Sequence, residues 1–390
     1  MTQFQMRQCY YFFPLFLGLF MFLLSGCSKS VEMQPHFSKD DTLVKEKKSE
    51  TIKSNKTITP LHVEKGEFSM IAGWINNNKL IYVTNIGTGS NVYMYDLFSN
   101  KSDLLYTSAV PITSIFISPS KDKLLIQSTI AANKEEITII NQKGKTLFNQ
   151  KVDAFDISYS WNPYDENIIL MSTFTEDWND QQYKINLNLA SSEQIHLPNP
   201  FSFWINNKEV VYLQWDQEHL NPTAPLEKRI IEDSLGKEIM SNIYQVDTFR
   251  DTLLTISFNE TKKEETQYSF YSNTLKPIGS FSIPYLTNFS NVLIPFYSYV
   301  QDQKKLYTFK PFYSAETDSY HNSFELISYD LNNNRSSTVI SGLENEPISC
   351  SPNGKWCLYG FYFEKLINIM TKDVIHLYPG ISDSKPSAKM

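Results

Sequence analysis

The chain has 390 residues, of which 41% are hydrophobic and 20% charged, and its 26 Phe, 23 Tyr and 6 Trp form an aromatic load suited to packed strands. That composition excludes a disordered chain and disfavours charge-laced helical architectures. Thirty-five basic against forty-two acidic residues give a formal net charge of -7, which argues against a nucleic-acid partner.

The first element is an apolar run from Cys9 to Leu24, preceded by Arg7 and too short for a confident membrane span of about 20 residues. It reads as a signal peptide over residues 1–26. The run ends Leu24-Ser25-Gly26-Cys27, which resembles the lipobox of bacterial lipoproteins, so Cys27 is expected to become the first residue and to carry the lipid. Localisation follows as the cell membrane, with the protein anchored by lipid on its extracytoplasmic face. Residues 27–60 then read as a polar tether, with seven lysines and five acidic residues between Ser28 and Pro60. Arg7 is the one charged residue before Cys27, so the chain from Cys27 onward carries -8; the tether is +2, which leaves the part beyond it at -10.

From residue 61 to 380 the sequence is repetitive. Leu80-Ile81-Tyr82-Val83, Val92-Tyr93-Met94-Tyr95 and Leu104-Leu105-Tyr106 are strands separated by polar turns, and Ile115 to Ile126, Ile137 to Ile140 and Thr146 to Phe148 repeat the cadence. A third unit runs through Trp161 and Ile168 to Met171. The fourth, Phe203-Trp204-Ile205-Asn206-Asn207-Lys208, echoes the Trp74 to Lys79 stretch of the first. Weaker units follow at Thr252, Lys305 and Phe324, and a clear last one at Ile348 to Tyr359, whose Pro352-Asn353-Gly354 marks a hairpin turn. Spacings of about 40–50 residues match one four-stranded propeller blade per repeat. The expected fold is all-β, a single β-propeller with six blades favoured and seven allowed, one of them split between the chain ends. The sole helical candidate is 225–240, where Leu226, Ile230, Leu235 and Ile239 are loosely spaced, and residues 381–390 read as a polar tail.

The Ser351-Pro352-Asn353-Gly354-Lys355 segment and its looser relative at Ser118 resemble the blade unit of TolB-type propellers. The whole layout of lipobox, polar tether and propeller resembles the YqgU-like β-propeller lipoproteins of endospore-forming Gram-positive bacteria. That resemblance implies a six-bladed fold and an extracytoplasmic address, without an established reaction.

No nucleophile elbow, zinc-binding helix, phosphate-binding glycine loop or Cys-x-x-Cys pair occurs, so neither cofactor nor metal is expected. Two polar clusters stand out as candidate binding loops. Asp216, Glu218 and His219 follow Trp215, where a carboxylate beside an imidazole suits proton transfer, although a solvated insertion with Trp215 packed inward explains the same residues. Glu316, Asp318 and His321 lie in the longest gap between strands, without the alternating oxygen ligands of a calcium loop. Trp74, Trp161 and Trp204 recur at one position of three units, as packing between sheets requires; a sugar-binding surface is the alternative. Cys350 and Cys357 flank a hairpin turn, leaving a disulfide or, as the plainer reading, two buried thiols.

The leading functional expectation is a noncatalytic platform that binds an envelope protein near the membrane; the alternative is an extracytoplasmic hydrolase or lyase acting on a cell-wall glycan or peptide. The first requires an exposed apolar or aromatic patch on one face. The second requires acidic and basic groups with perturbed titration in the central channel.

Overall fold

Runs such as Leu80-Ile81-Tyr82-Val83 and Leu124-Leu125-Ile126 put apolar side chains on both faces of a strand, so each strand needs cover on both sides. In the computed structural model, which describes residues 58–216, 221–289 and 291–380, that cover comes from radial stacking of small sheets. Seven four-stranded antiparallel sheets, spanning 67–108, 112–153, 156–195, 203–243, 245–284, 297–343 and 348–376, form blades 1 to 7 of a propeller. Seven is the larger of the two numbers that the repeats allowed. A three-stranded sheet of Leu286–Asn288, Asn291–Leu293 and Ala315–Glu316 sits between blade 5 and blade 6 in the chain path, its last strand supplied by a loop of blade 6.

The first strand of each blade is innermost. Glu67–Trp74 lies against both Ile112–Ile117 of blade 2 and Ile348–Cys350 of blade 7, and this last contact closes the ring. Each blade is one continuous stretch of chain, so the expected blade split between the two ends does not occur. Side-chain packing and a few backbone bonds, among them the Ile71 N–H to the Tyr362 carbonyl (3.1 Å), hold the closure instead. Ile71, Trp74, Leu80, Tyr82 and Tyr95 of blade 1 share a core with Leu358, Leu366 and Leu377, and buried Ile58 and Leu61 extend it, the Leu61 N–H reaching the Leu377 carbonyl (2.6 Å).

The segment 225–240 is not helical. Ala224–Ile230 and Lys237–Ile243 are the third and fourth strands of blade 4. Ala224 and Leu226 alternate inward while Leu235 is exposed in the turn, so strand period and tertiary cover override the loose helical spacing.

Antiparallel order gives the propeller two ends. The mouth face carries the turns from first to second and third to fourth strands; the loop face carries the second-to-third loops and the blade-to-blade connections. Hydrogen bonds between turns run round the mouth face. Ser120 donates to Glu166, Asn162 Nδ2 to the Asn207 carbonyl (3.3 Å), Gln301 to Asp251, Gln303 Nε2 to the Asn353 carbonyl (2.6 Å) and the Asn353 N–H to Asn77 Oδ1 (2.8 Å). The Tyr164 hydroxyl of blade 3 reaches the Ile205 carbonyl of blade 4 (2.7 Å) and the Arg250 carbonyl of blade 5.

Cys350 and Cys357 form a disulfide, correcting the expectation of free thiols. They face one another across the first hairpin of blade 7, with Cα atoms 3.8 Å apart. The next backbone bond runs from the Ser351 N–H to the Trp356 carbonyl (2.7 Å), so the cysteines occupy a non-hydrogen-bonded pair, where facing side chains approach most closely.

Candidate functional site

Because the first strands are innermost, their inward side chains and the turns that follow enclose the axis. They bound a cavity of about 640 Å³ at the mouth end. Aromatic rings from four blades line part of it, Tyr159 and Trp161 from blade 3, Phe203 and Trp204 from blade 4, Phe249 from blade 5 and Tyr299 from blade 6. Phe249 and Tyr299 stack across the blade boundary with centroids 4.3 Å apart, and Tyr159 packs against Phe116 of blade 2 at 4.9 Å.

Five charged side chains bear on this space. Asp247, on the innermost strand of blade 5, accepts the Thr248 N–H (2.7 Å) and the Tyr297 hydroxyl (3.1 Å). Burial outweighs both bonds and pushes its carboxyl up to about 6. Lys121, in the first turn of blade 2, has its ammonium pushed down by burial, against the pull of the Asp302 carboxylate from blade 6. Glu166, which accepts from Ser120, completes the mouth with Arg250 and Asp302. Buried polar side chains brace the wall behind Tyr159, whose phenol burial raises well above the ordinary value, with the Glu135 and Asp156 charges acting in the same direction. Gln127 donates to Glu135 (3.3 Å), and so does Thr129 (2.8 Å).

None of the sequence-derived loop residues among the described residues lies here. Asp216 is exposed in the second-to-third loop of blade 4, while Glu218 and His219 lie outside the described residues, as does Cys27. Trp215 packs partly into the core between blades 4 and 5. Glu316, Asp318 and His321 are all exposed in the corresponding loop of blade 6. What orders that loop is Tyr320, buried, with its hydroxyl accepting the Phe312 N–H (3.1 Å) and donating to the Ser323 carbonyl (2.9 Å). Among the described residues no group of three His, Cys, Asp or Glu is placed to hold a metal ion.

Both loops belong to the loop face, where exposed aromatic residues gather. Of eight exposed Phe, Tyr and Trp among the described residues, seven lie there: Phe155, Trp178, Phe289, Phe312, Tyr313, Phe361 and Tyr362. The eighth, Phe116, is on an innermost strand. Glu176, Asp177, Glu316 and Asp318 are exposed among these loops and give the face an acidic border.

The three tryptophans divide. Trp74 and Trp204 are each 2% exposed, and their indole N–H groups donate to carbonyls of the preceding blade, Ser349 (2.8 Å) and Ser160 (3.0 Å). Packing between sheets is therefore their role. Trp161 bonds the carbonyl of Glu166 in its own turn (3.0 Å) and stays partly exposed to the cavity. Asp247, Lys121, Arg250 and Asp302 escaped sequence reasoning because no motif marks them; superposing the first strand and first turn of each repeat would have gathered them.

The sequence pattern of the YqgU-like 6-bladed beta propeller domain matches residues 96–360, more than half of the chain. The protein belongs to that family. It is 25% identical over 361 residues to the uncharacterized lipoprotein YqgU of Bacillus subtilis (strain 168), an alignment that covers 93% of this chain and 95% of the relative. Among solved structures, the uncharacterized protein lmo1340 of Listeria monocytogenes EGD-e superposes with a TM-score of 0.77 at 23% identity, covering 84% of this chain and all of that one. The β-propeller domain of the Trilobed protease from Pyrococcus furiosus, described as having an open velcro topology, gives a TM-score of 0.51 at 14% identity over 82% of this chain and 99% of its own. At that identity the likeness is one of fold. The match to the YqgU-like pattern starts at the end of the third strand of blade 1 and stops just after the second strand of blade 7. Kinship with a lipoprotein supports a membrane-associated location for this member of the YqgU-like family.

Proposed function

We propose that this YqgU-like protein is held on the extracytoplasmic face of the membrane by lipid on Cys27, and that its propeller is a noncatalytic platform for an envelope protein. The observation that carries the reading is the segregation of exposed aromatic side chains onto the loop face. Aromatic residues are enriched at protein interfaces and supply most of the anchoring there, and seven on one face of a rigid ring make an unusual concentration. The acidic border selects the partner's chemistry. A surface with basic residues around an apolar centre complements it, whereas anionic lipid headgroups are repelled. The described chain also enters from the other end: the Tyr95 hydroxyl shares its proton between the Thr59 carbonyl (3.2 Å) and Asn100 in a mouth-face turn (2.7 Å).

The test is capture from gently solubilised envelopes with the full chain, compared with a Phe289→Ser, Phe361→Ser double variant and with Cys27→Ala. A basic protein should be retained by the parent, lost from the double variant and released by salt, while Cys27→Ala should lose membrane attachment alone. Equal capture by the parent and the double variant would sink the platform.

One observation favours the second reading, a hydrolase or lyase acting on glycan or peptide. Asp247 and Lys121 line one cavity, and burial displaces both toward their neutral forms, as acid-base chemistry requires. Release of soluble fragments from isolated cell wall by the parent and not by Asp247→Asn would replace the platform with an enzyme.

A further inference from the structure

We infer that the central cavity is a saccharide site that takes one or two sugar rings of an uncharged glycan, entering end-on from the mouth face. The site is at the opposite end of the ring from the aromatic loops and does not depend on their having a partner.

Three features of the cavity point to this ligand class. At about 640 Å³ it falls within the range of small-ligand sites, about 300–1,000 Å³. Its wall presents Tyr159, Trp161, Phe249 and Tyr299, each only partly buried, and flat aromatic faces suit the C–H faces of a pyranose. These rings are fixed in advance, Phe249 by stacking on Tyr299 and Trp161 by its bond to the Glu166 carbonyl, so ordering them adds little to the cost of binding.

The polar groups then decide between kinds of ligand. Lys121 has no carboxylate within 4.0 Å among the described residues, so its three ammonium donors have no ion-pair partner to give up. Its backbone is positioned, with φ at 66° and its carbonyl held by Gln142 Nε2 (2.7 Å). Opposite in sign, Asp302 stands near it, and Asp247 retains acceptor capacity beyond the Thr248 and Tyr297 bonds. A phosphate or polyanion site would gather cations alone. Donors and acceptors of both signs around an aromatic wall match vicinal hydroxyl groups, each of which donates and accepts.

The test titrates the full chain, solubilised in a polyoxyethylene detergent that carries no sugar, with N,N'-diacetylchitobiose, cellobiose and, as the charged control, glucuronic acid. Calorimetry reads the heat, and tryptophan emission reads the site directly because Trp161 and Trp204 line it. Saturable binding of at least one neutral disaccharide is expected. Lys121→Gln and Tyr299→Leu should each weaken it by about tenfold, while Phe289→Ser on the loop face leaves it unchanged. Circular dichroism checks that each variant is folded, and Asp302→Asn, an exposed change, serves as a third cavity variant should Tyr299→Leu unfold. No saturable response to either disaccharide at tens of millimolar would overturn the inference. So would binding indifferent to the cavity variants, or glucuronic acid binding more tightly than both neutral sugars.

Discussion

The indole N–H of Trp74 donates to the carbonyl of Ser349 at 2.8 Å, across 275 residues of sequence, and joins the first blade to the last. Since no strand is exchanged between the chain ends, side-chain contacts of this kind, together with the Leu61 and Ile71 backbone bonds, carry the closure that a shared blade provides in other rings. Trp74→Ala should cost about 3–5 kcal/mol, as expected for emptying a buried aromatic site. Trp74→Phe, which keeps most of the packing and loses the hydrogen bond, should cost about 1–2 kcal/mol. Urea denaturation followed by circular dichroism measures both. Equal losses from the matching change at Trp204, whose indole bonds Ser160 between two internal blades, would mean that the seam is no more sensitive than any other boundary.

The disulfide offers a second test. Its seven-residue separation closes a short loop, for which the chain-entropy account gives a stabilisation of about 2 kcal/mol. A Cys350→Ala, Cys357→Ala double variant should lose that amount and show no further loss on adding reductant, while the parent should fall to the same level when reduced. Mass spectrometry of the unreduced protein should find the cysteine pair lighter by two hydrogen atoms than after reduction.

The sequence made the blades legible because both faces of each middle strand are covered, which writes continuous apolar runs between polar turns. Leu80 to Val83 and Val210 to Leu213 are buried throughout, as their composition requires. It could not distinguish six blades from seven, because blade 6 interrupts its cadence with a long second-to-third loop, and the connection before it forms a small sheet of its own. The cavity was hidden for a different reason. Asp247, Lys121 and Asp302 come from three blades and converge only when the ring closes, whereas Asp216 and Glu316 drew notice for crowding along the chain. Local crowding of polar residues marked solvent-exposed loops; Asp247 and Lys121, which burial perturbs, are far apart in sequence.

Gly354 tests the turn network on the mouth face. Its φ is +61°, and a Cβ there would come within 2.6 Å of the Gln303 carboxamide, the group that holds the Asn353 carbonyl. Gly354→Ala therefore meets both backbone strain and displacement of the contact between blades 6 and 7, and should destabilise by about 1–3 kcal/mol. Adding Gln303→Ala should recover part of that loss by making room. No recovery in the double variant would assign the whole cost to the backbone.

Asp247 makes stability depend on pH in the direction opposite to that of an ion-paired acid. Its folded-state carboxyl at about 6 lies above the ordinary value of about 4. Between those values the folded protein holds a proton that the unfolded chain has lost, so this group makes the protein less stable as pH rises through the window, and the penalty is complete above about 6. Asp247→Asn keeps an acceptor for the Thr248 N–H and the Tyr297 hydroxyl without the buried charge. At neutral pH the variant should be more stable than the parent by about 3 kcal/mol, and the difference should vanish below about pH 4. Urea midpoints for both proteins across that interval read the effect directly; a parent that gains stability relative to the variant as pH rises would mean that the channel stabilises the Asp247 charge, and that a cation reaches it more closely than Lys121 and Arg250 do in this structure.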